Sequence, residues 1–227
     1  MSRFLQIALL GVAAATVSAP SWAAANLLSN GSFETYTATS STSGTFANWT
    51  TGGTTGTTPS QYPIQQPTNG TSSGQYGDVV APDPYKASPD SAGSNAVFFV
   101  ADNANQSLTQ TISLVIGKVY EVGFDLFKTT SGANNSGTFT ISGLVGGTAV
   151  TTASSTSLAS GVWTHYAATF IASTTTAAFA LNYVSGATPA ADVLVDLAYV
   201  TAVPEPASLA LVATGLLGLL ALRRRQA

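Results

Sequence analysis

Three acidic side chains lie close together in one stretch that is rich in Pro and Tyr. Asp78, Asp83 and Asp90 are interleaved with Tyr76 and Tyr85. Carboxylates in such a group could bind calcium, frame a sugar site together with the aromatic rings, or serve as the acid and base of a glycan hydrolase. We take these five residues as the candidate ligand-binding set. The simpler interpretation is an acidic loop stiffened by its prolines, and we favour it over catalysis.

Other catalytic arrangements find little support in the residue types. His165 is the only His of the chain, so a zinc site built from several His is excluded. The pattern Trp163-Thr164-His165-Tyr166 favours an exposed or second-layer position for this side chain. The chain also has no Cys, which excludes disulfides and thiolate metal sites. We therefore expect a protein that is not an enzyme and has no catalytic residues.

The charge distribution limits the possible partners. Residues 26–203 contain nine acids and three bases, a net charge of −6, while four of the seven bases lie in the two ends. A body this acidic, without a basic patch, argues against nucleic acid as a partner. Only 7% of the residues are charged, and Thr, Ser, Gly and Asn supply a hydrogen-bonding surface instead. Such a surface is typical of a cell-surface or matrix protein.

The C-terminus consists of three consecutive parts. They are Pro204-Glu205-Pro206, an uncharged apolar run over 207–222, and Arg223-Arg224-Arg225. As a helix the run would span roughly 24 Å, enough for a short membrane span, with the arginines as a cytoplasmic stop. The three parts resemble the PEP-CTERM sorting tail of Gram-negative bacteria that make exopolysaccharide. That resemblance implies recognition and cleavage by an exosortase; the alternative is an ordinary C-terminal anchor.

The N-terminus has the pattern of a secretory signal peptide over residues 1–25. A single Arg3 precedes an apolar run from Phe4 to Ala15, and small residues follow up to Ala25. With basic residues flanking both apolar segments, we expect the body to lie on the periplasmic side before processing. The cell surface or the extracellular matrix is then the expected destination.

The body shows two-residue hydrophobic periodicity, which predicts β-strands. We predict long strands within 118–128, 161–171, 177–183 and 193–200, and shorter ones within 95–101, 107–115 and 137–144. In the last long strand, Val193, Val195, Leu197 and Tyr199 are expected to share one face. The stretch 50–94 is poor in periodicity and is expected to be a long Thr/Gly/Pro-rich insertion. Together these features predict one all-β sandwich domain over 26–202, followed by the tail at 203–227.

Several short pieces of the body are similar to the galactose-binding-like jelly rolls, which include the family 4 and 9 carbohydrate-binding modules. They comprise Asn26–Glu34 with Trp49, the pair Leu108–Ile112 and Gly117–Phe124, and the closing strands Trp163–Phe170 and Val193–Val200. The resemblance implies a jelly-roll β-sandwich. It also implies a function in carbohydrate binding, here of exopolysaccharide, although a passive structural or adhesive role in the matrix stays open.

The same resemblance implies a structural calcium ion where the first and last strands meet. The positions that match its usual acidic ligands are Glu34 and Asp196. Calcium needs six to eight oxygens, so backbone carbonyls and water would have to complete the site. Relatives commonly carry a second Asp in the closing strand, where this chain has Leu197. The alternative is that Glu34 and Asp196 are solvated acids at strand ends.

Overall fold

The computed structural model describes residues 25–57, 61–72, 74–86, 88–130, 137–186, 191–204 and Gly215. In these residues the chain forms strands that all lie in one compact unit, Ala24–Pro204. The strands are β1 (Tyr36–Ser40), β2 (Ser43–Phe46), β3 (Thr50–Gly53), β4 (Ile64–Pro67), β5 (Asn95–Phe99), β6 (Asn105–Ser113), β7 (Val119–Lys128), β8 (Phe139–Val145), β9 (Thr148–Ser154), β10 (Trp163–Ile171), β11 (Thr176–Ser185) and β12 (Val193–Ala202).

Two five-stranded antiparallel sheets form the body. The first has the order β10-β7-β12-β5-β4 and the second the order β3-β6-β11-β8-β9, while β1 and β2 form a separate hairpin. Side chains on the facing sides of the two sheets build the main core, in which Phe99, Leu108, Phe124 and Phe179 are completely buried. The predicted all-β jelly-roll sandwich is therefore confirmed.

The alternation of the long strands decides which side chains enter the core. In β7, Tyr120, Val122, Phe124 and Leu126 face the second sheet, as their period-two spacing predicted. The intervening residues of β7 therefore lie on the outer face of the first sheet. One end of this outer face is apolar, and the other end carries acidic side chains.

The prediction for the last strand was wrong at Tyr199. Asp196 pairs with Asp125 and Tyr199 pairs with Gly123, so β12 has one more residue than β7 between these two pairs. Leu197 forms this bulge with a positive φ of 48°. One extra residue in a strand moves each side chain that follows it to the opposite face of the sheet. Tyr199 consequently lies on the outer face, and the core positions pass to Ala198 and Val200.

The outer face of the first sheet carries a second apolar cluster. Phe98, Phe127, Trp163 and Leu194 form it with neighbours from the segment that precedes β5. The described residues of the stretch 68–90 (68–72, 74–86 and 88–90), which we call the covering segment, cross this face. Val80 of the covering segment is fully buried, and the indole N–H of Trp163 donates to the carbonyl of Ala81 at 2.7 Å.

The stretch 50–94, predicted as a long Thr/Gly/Pro-rich insertion, contains two short strands that its sequence did not predict. Strands β3 and β4 lie within it, paired with β6 and β5 at the edges of the two sheets. Their apolar residues are too few to produce a readable period, because each strand has only four residues and pairs on one side alone. The covering segment adds buried contacts of its own and is packed rather than free.

The targeting ends fall largely outside the described residues. The predicted signal peptide is described only at Ala25, and the predicted span 207–222 only at Gly215. Of the sorting motif, Pro204 is described, whereas Glu205, Pro206 and the arginines at 223–225 are not. No helix in the described part of the chain is long and apolar enough to cross a membrane.

Candidate functional site

Asp125 is the centre of a polar group on the outer face of the first sheet. It lies in the middle strand of three, directly opposite His165 of β10 and directly opposite Asp196 of β12. Asp125 and Asp196 are both completely buried, and the side chain of His165 is 25% exposed. The strand register therefore brings two buried acids and the only His of the chain into one line.

A continuous row of hydrogen bonds extends from Asp125 across the sheet. His165 Nδ1 lies 2.5 Å from Asp125 Oδ1, and His165 Nε2 lies 3.2 Å from the Tyr199 hydroxyl. That hydroxyl in turn donates to Glu121 Oε1 at 2.8 Å. The His165 and Tyr199 rings are parallel, with an angle of 5° between their planes. We call Asp125, His165, Tyr199 and Glu121 the polar row.

The hydrogens available in the polar row restrict its charge. Tyr199 has one hydroxyl hydrogen, which goes to Glu121, so its oxygen must accept from His165 Nε2–H. A neutral imidazole then has no hydrogen on Nδ1. The contact with Asp125 therefore requires either a cationic His165 or a protonated Asp125. Burial acts against both charged forms, since it lowers the pKa of His165 and raises the pKa of Asp125 to about 7.

Asp83 of the covering segment lies over the outer face beside Asp125. Its Oδ1 accepts the backbone N–H of Tyr85 at 2.8 Å, and its carboxyl group lies near enough to that of Asp125 for each to affect the pKa of the other. The Oδ2 atoms of both residues are buried, and neither has a hydrogen-bond donor. Burial, and secondly the Asp125 carboxyl, raise the pKa of Asp83 to about 7.

Asp196 adds a third buried carboxyl beside this pair. Its Oδ1 accepts the N–H of Leu197 at 2.7 Å, whereas its buried Oδ2 has no donor. Burial raises the pKa of Asp196 to about 10, and the nearby charges of Asp83, Glu34 and Asp125 act in the same direction. The outer face therefore concentrates acidic groups where a bound positive charge would be stabilised.

Glu34, the other predicted calcium ligand, has a structural role in the described residues. Its Oε1 accepts the backbone N–H groups of Ser94 and Asn95, each at 2.8 Å, and its Oε2 accepts the Asn95 amide at 2.9 Å. The carboxylate thus holds the start of β5. Among the described residues, no three His, Cys, Asp or Glu side chains are arranged to hold one metal ion. Calcium at Glu34 and Asp196 stays a prediction.

The three acids of the predicted ligand-binding set do not converge. Asp83 lies near Asp125, whereas Asp90 accepts a hydrogen bond from the Asn26 amide at 2.7 Å. Asp78 is buried and lies near Asp192, whose pKa it helps to raise. The chain between these acids folds over the sheet, so neighbours in sequence reach three different places.

The two tyrosines of the set lie over the outer face. The Tyr76 ring packs edge-on against Phe98 at 6.2 Å and is 41% exposed. Tyr85 is half-buried, its ring lies 5.8 Å from that of His165, and its hydroxyl donates to the Trp163 carbonyl at 3.2 Å. Of the polar row, His165 lies beside Tyr85 and is partly exposed, whereas Asp125 and Tyr199 are buried.

Sequence reasoning placed His165 on the outer layer, and this is confirmed, but it missed the partners of His165. Asp125, Glu121 and Tyr199 were assigned only to strand faces. The one signal that could have found them is the spacing Glu121-x-Gly123-x-Asp125, which puts two acids on the outer face of one strand with a glycine between them. Which residues of neighbouring strands lie opposite them depends on register, which no local pattern shows.

The covering segment contains a sequence that fits the Gly-x-Ser-x-Gly pattern of hydrolase nucleophiles, Gly70-Thr71-Ser72-Ser73-Gly74. The Ser72 hydroxyl donates to the carbonyl of Gly77 at 2.5 Å, and Ser72 bridges to Val79 within the covering segment. Both ring nitrogens of His165 are engaged in the polar row. The described contacts therefore provide Ser72 with no histidine base.

Comparison with known proteins identifies the tail. Residues 202–225 match the PEP-CTERM protein-sorting motif, as the three-part pattern predicted. The motif indicates an exported protein that has a C-terminal membrane anchor before processing, and it implies processing by an exosortase. No match was found among curated proteins.

Solved structures resemble the body in fold. The Stig cyclase Fisc from Fischerella sp. TAU, in complex with a substituted 3H-indole, has a TM-score of 0.52 at 17% identity, over 81% of this chain and 100% of its own. TmCBM61, in complex with β-1,4-galactotriose, has a TM-score of 0.48 at 19% identity, over 78% and 99%. At 17% identity the likeness to the cyclase shows the fold alone. A shared fold does not decide between binding and catalysis.

Proposed function

We propose that this protein is a non-catalytic component of the cell surface or extracellular matrix, and that it binds exopolysaccharide after processing by an exosortase. The sorting motif supports the destination. The observation that carries the binding function is the pair of tyrosines over the outer face, the exposed Tyr76 and the half-buried Tyr85 beside the partly exposed His165. Sugar rings stack their C–H faces on aromatic rings, while neighbouring polar groups bond their hydroxyls.

The charge of the body restricts which polysaccharide would bind. Its nine acids and three bases disfavour a polyanionic chain unless a cation lies between the two. A neutral, hydroxyl-rich polymer has no such restriction, because the low-charge Thr/Ser surface can exchange hydrogen bonds with it. Calcium at Glu34 and Asp196 belongs to this proposal as an aid to folding rather than to sugar contact.

The test is retention of the processed protein on the exopolysaccharide of the cells that make it, with calcium and then with a chelator. We expect saturable retention of the wild type. Replacing Tyr85 with Ala should weaken it about five-fold, because a stacked ring contributes about 1 kcal/mol. Tyr85→Phe should bind like the wild type, since it keeps the ring and loses only the hydroxyl bond to Trp163.

A control comes from the β1–β2 hairpin. Tyr36 is also half-buried, but it packs against Phe46 and lies in a different sheet. Tyr36→Ala should leave retention unchanged. If the wild type is not retained in either condition, the binding proposal fails and a structural or adhesive surface protein remains. Equal loss in Tyr36→Ala and Tyr85→Ala would assign the effect to stability rather than to contact.

A further inference from the structure

We propose that one end of the sandwich rests on the lipid bilayer through an apolar patch while the protein is still anchored by its tail. The patch consists of five exposed aliphatic side chains, Val115, Ile116, Val119, Ile171 and Val203, which we call the tail-side patch. It lies at the end of the first sheet where β12 continues into the sorting motif. The proposal goes beyond polysaccharide binding, because it concerns the protein before processing and rests on the membrane anchor that the motif indicates.

Three side chains of the tail-side patch form a row across the first sheet. Ile171 of β10 lies directly opposite Val119 of β7. The N–H of Val203 donates to the Val119 carbonyl at 2.9 Å, which extends the pairing of β12 with β7 by one residue. Side chains that lie directly opposite each other in antiparallel strands share a face. Because Tyr120 enters the core, the row of Ile171, Val119 and Val203 lies on the outer face.

The turn between β6 and β7 supplies the other two side chains. Val115 is 53% exposed and Ile116 is 61% exposed. The N–H of Gly117 donates to the Ala172 carbonyl at 2.8 Å, and the N–H of Ala172 donates to the Lys118 carbonyl at 2.9 Å. These two bonds fix the turn beside the end of β10, so its apolar side chains stay next to the row.

Exposed apolar side chains are concentrated at this end of the body. In the described part of the chain, nine large apolar side chains are exposed, and five of them belong to the tail-side patch. Single exposed apolar residues are ordinary, whereas a group of neighbours marks a surface that another apolar medium covers. The packing of the sandwich gives no reason for this group, since Ile171 remains 69% exposed.

The short connection to the tail identifies lipid as the covering medium. Only residues 204–206 lie between Val203 and the apolar run that begins at Ala207. From Val203 to Ala207, fully extended chain reaches about 14 Å at most. The polar layer on each side of the hydrocarbon core is itself roughly 5–8 Å thick. While the tail is in the membrane, this reach keeps the patch close to lipid and leaves little room for a soluble partner.

The charges around the patch also suit a lipid surface. Lys118 directly precedes Val119, is exposed, and forms no ion pair with an acid of the described residues. A lysine in such a place can lay its apolar stem on the patch and put its ammonium group among anionic headgroups. The nearest acid of β7, Glu121, accepts the Tyr199 hydroxyl. Asp125 lies six residues beyond Val119, roughly 20 Å along the strand.

The experiment uses the chain with its tail intact, reconstituted into vesicles of phosphatidylethanolamine and phosphatidylglycerol that contain nitroxide-labelled lipid as a quencher. The chain has no Cys, so a single introduced cysteine can carry a fluorescent label. A label at Ile116→Cys or Ile171→Cys should be quenched at least about three-fold more than one at Val162→Cys, since interfacial apolar surfaces enter the bilayer by about 5–10 Å. Val162 is a matched control, because it is 54% exposed and lies roughly 30 Å from Ile171 along β10.

A second variant separates contact from tethering by the tail alone. Ile116→Ser combined with Ile171→Ser changes only exposed side chains, and an unchanged Tm would check that the fold is intact. A label at Val115→Cys should then lose at least about half of its lipid quenching, because the apolar area that favours contact is reduced. The matched pair Val162→Ser with Val184→Ser, which lies outside the patch, should leave that quenching unchanged.

Three results would overturn the proposal. Equal quenching at Val162→Cys and Ile171→Cys would show that no particular end of the body meets the bilayer. Quenching at Val115→Cys that the two serine changes leave unaltered would show that the tail holds the body near lipid without contact. A label at Ile171→Cys that is shielded from aqueous iodide but not quenched by lipid would place a second copy of the chain on the patch.

Discussion

Buried aspartates are the most unusual residues of this protein. Asp125, Asp192 and Asp196 are each at most 7% exposed, in a body that has only three lysines. Ionised carboxylates normally stay in water or pair with Arg or Lys, because transfer of a charge to the interior is costly. Their burial here means that protons, His165 or bound cations must neutralise them.

Asp192 should make the stability of the protein depend on pH. Burial raises its pKa to about 8, and the carboxyls of Asp78 and Asp102 act in the same direction. An acid whose pKa is higher in the folded state binds its proton more tightly there. Its stabilising contribution is complete below the unfolded pKa of about 4 and is lost as pH rises through about 8. We expect the free energy of unfolding to fall over this range, by up to about 1.4 kcal/mol per pH unit from this group.

Urea unfolding at pH 5, 7 and 9 would measure the effect. Asp192→Asn has no such proton to lose, so its stability should decline less with pH, and above pH 8 it should exceed that of the wild type. The unfolding should be measured with a chelator present, so that cation binding does not contribute to the measured stability. An identical pH slope in the variant would show that Asp192 is not the responsible group.

At the scale of the elements, a glycine in β7 and a bulge in β12 jointly create the polar row. The bulge at Leu197 turns Tyr199 to the outer face, and Tyr199 then lies across β7 above Gly123. A Cβ atom at Gly123 would come within 2.3 Å of the Tyr199 ring. Only glycine allows this approach, which brings the Tyr199 hydroxyl to Glu121 and His165.

Gly123→Ala tests this arrangement. The added methyl group must displace Tyr199, so we expect a loss of about 1–3 kcal/mol in the free energy of unfolding, as for other overpacked sites. Tyr199→Ala removes the ring and should also destabilise the protein. In the double variant the alanine at 123 should cost much less, because nothing then lies above it. A cost at 123 that is equal with and without the Tyr199 ring would contradict the packing described.

For the whole molecule, the strands of the body and the sorting motif occupy successive parts of the chain. The core lies within Ala24–Pro204, and the sorting motif matched at 202–225 begins as β12 ends. Removal of the tail therefore leaves every strand in place.

We predict that processing depends on Pro204, Glu205 and Pro206. Replacing all three with Ala should leave the 22.9 kDa chain, less its signal peptide, in the membrane fraction. The wild type should appear as a shorter product at the cell surface or in the matrix. Gln226→Ala, which changes the tail outside its three parts, should be processed normally. Normal processing of the triple variant would show that Pro204, Glu205 and Pro206 are not needed for recognition, whereas a wild type that stays uncleaved in the membrane would leave the tail as a plain anchor.

Strand prediction succeeded where strands are long and one face is buried. The alternation in β7, β10 and β11 gave both the strands and their core faces, because burial of every second side chain leaves a period that is visible in the residues. The four-residue strands β3 and β4 were missed since they carry no full period. The face of Tyr199 was wrong because a single bulge residue leaves no local mark.

The sequence by itself determined the export, the sorting tail, the all-β fold and the position of His165 on an outer face. These properties are local: they follow from runs, motifs and alternation that can be read along the chain. Only the tertiary structure decided which acids meet His165 and that Asp78, Asp83 and Asp90 separate. Such contacts join residues 40 or more positions apart through strand register and through the path of the covering segment, as His165 and Asp125 show. Register and chain path are set by the packing of the whole core, which no short stretch contains.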